Sequence, residues 1–151
     1  MARKSPRSSG KAVRPPLTRD MLLPLPNAKV QALSLENHLA LTTVRAQRGG
    51  SDQICCLIRV VYLAYFMRGE TAEGSDEEPY RRAEAALDAC MMRMEQGGPC
   101  MLLEEEQAAM ERVLVLHDQQ LAAIPKFRYL EAWQRMQHFA ASEKPSPVPR
   151  P

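Results

Sequence analysis

The chain has 151 residues, of which 45% are hydrophobic and 25% charged, and carries a formal net charge of +2. That length sets a single domain as the expectation, with a body large enough for a core of its own. Seven glycines and 5% aromatics beside nine methionines disfavour a β-rich domain, and no apolar run reaches the roughly 20 residues a membrane span needs.

The charge is unevenly placed. Residues 1–20 hold six cations (Arg3, Lys4, Arg7, Lys11, Arg14 and Arg19) against Asp20 alone, leaving the body mildly acidic. This Ser/Pro/Arg/Lys-rich segment is expected to be a disordered basic arm over 1–20. Its cations suit weak, nonspecific contact with nucleic-acid phosphates. It has no apolar secretory core, which points to a cytoplasmic protein with reduced thiols.

Leu17–Pro26 is a transition in which Met21-Leu22-Leu23-Pro24-Leu25-Pro26 is apolar but rich in proline, so an extended strip is predicted there. Its leucines Leu22, Leu23 and Leu25 are candidates for packing into a groove of the body or onto a partner. Asn27 is the expected N-cap of a first helix reaching about Gln47. In that helix Val30, Leu33, Asn37, Leu41 and Val44 share a face that Leu35 and Leu39 are expected to widen. Gly49-Gly50 is the expected stop.

Gln53-Ile-Cys-Cys-Leu-Ile-Arg-Val-Val-Tyr-Leu-Ala-Tyr-Phe-Met67 is apolar nearly all round a helical wheel, with Arg59 its only charge. Such a helix must be wrapped by others. It is therefore the expected centre of the fold, capped by Ser51 or Asp52. An acidic loop over 70–78, long enough to suggest mobility, leads to a third helix. There Ala83, Leu87, Cys90 and Met94 form a stripe bordered by Tyr80 and Met91.

After Gly97-Gly98-Pro99 comes a fourth helix, from about Leu102 to Ala122, with Ala109, Met110, Val113, Leu114 and Leu121 expected inside. A fifth begins near Pro125 and carries Tyr129, Trp133, Met136 and Ala140 on one stripe, extended by Phe127 and Leu130. The fold predicted is all-α: a single antiparallel bundle of about five helices over 21–141, with the second helix buried at its centre. Residues 142–151 are expected to form a Pro-rich disordered tail.

Chemical signatures are sparse. Cys55 and Cys56 are adjacent and diverge by about 100° on a helix, and no C-x-x-C pair is present, so buried thiols are expected in place of a metal site. No inward Glu-x-x-His pairs suggest a di-metal centre. His38, His117 and His138 fall on three helices with no shared spacing, and surface or half-buried structural roles are expected for them. Gly49-Gly50 and Gly97-Gly98 lack the partners of a phosphate loop. A non-enzymatic chain without cofactor or metal is the reading. Met92 and Met94 beside the Gly97-Gly98 break are candidate partner contacts, since methionine suits adaptable interfaces.

Leu35-Glu-Asn-His-Leu-Ala-Leu41, Val60-Val-Tyr-Leu-Ala-Tyr-Phe66, Arg112-Val-Leu-Val-Leu-His-Asp118 and Arg128-Tyr-Leu-Glu-Ala-Trp133 resemble segments of small bacterial helical proteins often labelled Fis-family transcriptional regulators. The resemblance spans about residues 20–140 and implies a cytosolic regulator or accessory factor. Fis-type regulators end in a helix-turn-helix, whereas this chain ends in an amphipathic helix and a Pro-rich tail, so no DNA-reading residue is carried over. The function expected is a regulatory or interaction protein whose body binds a protein partner or itself. The alternative is a sequence-dependent DNA-binding transcriptional regulator.

Overall fold

A computed structural model describes residues 14–151. Six helices are found among them: α1 (Arg19–Leu22), α2 (Asn27–Arg45), α3 (Ser51–Phe66), α4 (Glu78–Glu95), α5 (Glu104–Ala123) and α6 (Lys126–Ala141), with a 3₁₀ turn at Arg68–Glu70. Helix α3, the expected central rod, packs against α2, α4, α5 and α6. Ile54, Leu57, Val60, Val61, Leu63, Ala64 and Tyr65 are all buried in it. Only a narrow strip of α3, including Asp52, Cys55 and Arg59, is exposed. The protein is an all-α bundle, and no described helix is long and apolar enough to cross a membrane.

Two apolar clusters hold the bundle. The larger joins α2, α3, α4 and α5 through residues such as Val44, Leu57, Val61, Leu87, Met110 and Leu114. The smaller packs Leu63 and Met67 against Leu121, Ile124, Tyr129, Ala132 and Met136. Tyr62 and Phe66 touch both clusters, so they read as one continuous interior.

Helix ends depart from the expectations in instructive ways. The chain enters α2 through Pro26, and Asn27 is already helical. Gly50 precedes α3, its N–H donating to the Gln53 carboxamide at 2.9 Å, so neither Ser51 nor Asp52 caps it. Helix α2 stops before Gly49-Gly50. Arg48 N–H donates to Thr43 carbonyl oxygen and Gln47 N–H to Val44 carbonyl oxygen, the paired bonds of a Schellman turn with Gln47 at φ 57°. Gly97, at φ 83°, does the same for α4. Gly49 meets a different demand, since a Cβ there would lie 2.8 Å from Val44 Cγ2.

Other expectations change at the surface. Arg19–Leu22 forms one helical turn where an extended strip was predicted, tied down by Lys126 Nζ to Asp20 Oδ2 at 2.7 Å and by Lys126 N–H to Leu23 carbonyl oxygen. The acidic loop is anchored by Tyr80, whose hydroxyl donates to Gly74 carbonyl oxygen at 2.7 Å. Ala140 and Leu130, placed on the inner stripe of the last helix, are exposed. The Pro-rich tail, expected to be free, returns across α4 and buries Val148 in the larger cluster. Arg81 there donates to Pro149 carbonyl oxygen. One aliphatic side chain among prolines suffices to seat it, because the prolines reduce the entropy lost on docking.

Candidate functional site

Helix α2 has two apolar faces. Its inner side supplies Val44, Leu41 and Ala40 to the core. Its outer side carries Ala28, Ala32, Leu35, Leu39 and Thr42, all exposed, at alternating spacings of four and three, and Ala46 continues the series. That is the spacing of a coiled-coil seam. Leu35 is 61% exposed and Leu39 54%, so both are corrected from core to surface. The helix is apolar on two sides, and periodicity alone placed the leucines on the wrong one.

Three of the four titratable groups flanking the outer stripe are engaged within the chain, Lys29 being the exception. Arg45 meets Glu111 at 2.9 Å, His38 meets Asp118 at 2.7 Å and Glu36 meets Arg59 at 3.2 Å. The stripe is thus an uncharged ridge whose flanking groups, Lys29 apart, are paired within the chain.

On the other side of α2 a cavity of about 330 Å³ opens between α2, α3, α5 and α6. Leu33, Val60, Leu63, Leu130 and Trp133 give it apolar walls, and Lys29, Glu36 and Arg59 stand at its solvent side. Three deeply placed polar residues also line it: Asn37 (6% exposed), His117 (2%) and Tyr129 (6%). The Asn37 amide, the His117 Nε2 and the Tyr129 hydroxyl form no hydrogen bond among the described residues. Among the described residues the buried side-chain polar atom without a partner is Arg93 Nε, so the polar atoms of Asn37, His117 and Tyr129 stay open to water through the cavity.

His117 is corrected from a surface role to full burial. Its Nδ1 lies 3.4 Å from Gln120 Oε1. The Gln120 amide nitrogen donates to Ala64 carbonyl oxygen at 3.0 Å and to the Tyr80 hydroxyl at 3.1 Å. This orientation leaves Oε1 as an acceptor facing His117, so the imidazole proton sits on Nδ1 and Nε2 presents a lone pair. Burial pushes the His117 pKa down to about 4, keeping the ring neutral at physiological pH. Burial also raises the Tyr129 phenol.

The comparisons with known proteins add no identity. The chain matches no family model, no curated protein and no solved structure.

The residues singled out from sequence divide accordingly. Arg3, Lys4, Arg7 and Lys11 lie outside the described residues, and Arg14 and Arg19 are exposed. Leu22 and Leu23 are about half exposed, whereas Leu25 is buried in the smaller cluster. Met92 is exposed and Met94 packs partly against the core. Among the described residues no group of three or more His, Cys, Asp or Glu is placed to hold a metal. Cys100 sits beside Cys90, and burial together with that neighbour pushes its thiol up to about 11, which makes it a poor nucleophile.

Proposed function

We propose that this chain is a non-enzymatic regulatory or interaction protein whose helical body joins a second copy of itself along α2, with the basic arm adding weak, nonspecific affinity for nucleic acid. The observation that carries the reading is the exposed stripe Ala28, Ala32, Leu35, Leu39, Thr42, Ala46. Its order is nearly palindromic about Asn37. Two antiparallel copies would set Leu35 against Leu39, Ala32 against Thr42 and Ala28 against Ala46. A self-complementary patch of this kind is what a two-fold dimer requires. Small residues at both ends let the helices approach closely, and the flanking ion pairs oppose no unpaired like charge.

One helix pair lies at the small end of specific interfaces, about 1,200 Å² or less, so an affinity of order micromolar is expected. Light scattering of the full chain across a concentration series tests it. A monomer–dimer equilibrium should appear and be lost in Leu39→Lys with helicity unchanged. A strict monomer up to ~1 mM overturns self-association.

The cations of the body weigh against sequence-dependent DNA reading. Arg45, Arg59, Arg68, Arg81, Arg93 and Arg128 each face a carboxylate and are spread over five elements. For the arm, duplex binding should fall steeply with salt and disappear when Arg3, Lys4, Arg7 and Lys11 are all changed to Gln. Sequence-selective binding that survives those changes would move the reading surface to the helices.

A further inference from the structure

We propose that the cavity between α2, α3, α5 and α6 is a binding site for a small hydroxylated aromatic monocarboxylate. The proposal stands apart from self-association, which uses the adjoining face of α2 that carries Leu35 and Leu39.

Size comes first. A volume of about 330 Å³ is at the low end for small-molecule sites and suits a ligand of ~10 non-hydrogen atoms. The apolar part of the wall then suits a ring-shaped body, because Leu33, Val60, Leu63 and Trp133 line it together.

The deep polar groups select the other end of the molecule. His117 Nε2 is a fixed acceptor, since Nδ1 carries the proton facing Gln120 Oε1. It can therefore accept from an O–H or N–H donor that enters the cavity. Asn37 and the Tyr129 hydroxyl can complete the hydrogen bonding of that same group, each offering a donor and an acceptor. At the solvent side, Arg59 and Glu36 neutralise each other at 3.2 Å, and Lys29 pairs with no carboxylate among the described residues. The entrance thus carries one surplus positive charge, which suits a single carboxylate. Donor, ring and carboxylate together describe a hydroxybenzoate-like molecule.

Trp133 is the only tryptophan of the chain and lines the site, so its fluorescence reports occupancy directly. The full chain is titrated with 4-hydroxybenzoate, benzoate and phenol. A saturable change is expected with 4-hydroxybenzoate at a Kd of ~1 mM or below. Benzoate, lacking the donor, should bind about fivefold more weakly, as one lost hydrogen bond implies. Phenol, lacking the carboxylate, should also bind more weakly. Lys29→Met lies on the surface and leaves the core untouched; it should weaken 4-hydroxybenzoate and leave phenol unchanged. Asn37→Leu should weaken both phenol and 4-hydroxybenzoate. Absence of a saturable change overturns the proposal, as does equal binding of all three probes or indifference to both substitutions.

Discussion

Arg93 and Glu106 join the end of α4 to the start of α5 through a two-pronged contact, with Nη1 3.0 Å from Oε1 and Nη2 2.5 Å from Oε2. The same guanidinium donates to Met101 carbonyl oxygen at 2.8 Å, and Glu106 accepts from Leu103 N–H at 2.8 Å. The pair therefore fixes the Gln96–Leu103 connection as well as the two helices. Both side chains are mostly shielded, at 29% and 16% exposure. Glu106→Gln leaves Arg93 without its counter-charge and should cost about 2 kcal/mol, between the values for exposed and buried pairs. A lower denaturant midpoint at unchanged slope would show it. The hydrogen bond from Arg93 holds the Glu106 carboxyl below its usual range. Its contribution is accordingly present above about pH 4.5 and lost as pH falls through the folded-state value.

His117 should govern a separate acid window. Its folded pKa of about 4 lies below the model-peptide value of 6.5, so the unfolded chain binds that proton more readily. Stability is complete above about pH 6.5, declines as pH falls toward 4, and loses about 3 kcal/mol in total from this group. Urea midpoints between pH 7.5 and 4.5 would trace the slope. Replacing His117 with Phe should flatten it while leaving the Glu106 transition at lower pH. A slope that persists in His117→Phe would assign the window to another group.

How far the sequence reveals this fold depends on whether a residue's partner is local. Helix α3 is legible because an all-round apolar helix must be central whatever surrounds it. Tyr80, Ala83, Leu87 and Cys90 are legible in α4 because only one of its faces is apolar. In α2 two faces are apolar, and nothing within the helix tells which one meets α3. The spacing Ala28, Ala32, Leu35, Leu39, Thr42 was the available signal. His117 and Gln120 look like surface residues by type; their burial depends on Ala64 and Tyr80, which lie 56 and 40 positions from Gln120. The cavity is hidden for the same reason, its lining coming from four helices.

The tail offers a direct test of packing by a single side chain. Val148 is only 4% exposed within the larger cluster, and its N–H donates to Ser146 Oγ at 3.0 Å. Val148→Ala removes two buried carbons and should cost about 1.5 kcal/mol. For a domain of this size that corresponds to a Tm lower by about 5 °C. Lys144→Ala, at an exposed position on the same segment, should leave Tm unchanged. Equal melting of both variants and the parent would detach the tail from the core.

Gln47 and Gly97 occupy equivalent positions after α2 and α4, yet only Gly97 suits its backbone. Both lie in the left-handed region, at φ 57° and 83°, where a side chain carries a steric cost that glycine avoids. Gln47 recovers little from its side chain, an exposed contact from Nε2 to Met101 Sδ at 3.6 Å. Gln47→Gly should therefore stabilise the protein by about 1 kcal/mol, and Gly97→Ala should destabilise it by a similar amount. The Cβ added at Gly97 meets nothing within 4 Å, so a loss of stability there isolates backbone strain from packing. Opposite shifts in thermal midpoint are the expected result. Shifts of the same sign, or none, would mean that the Schellman turns do not set where these two helices end.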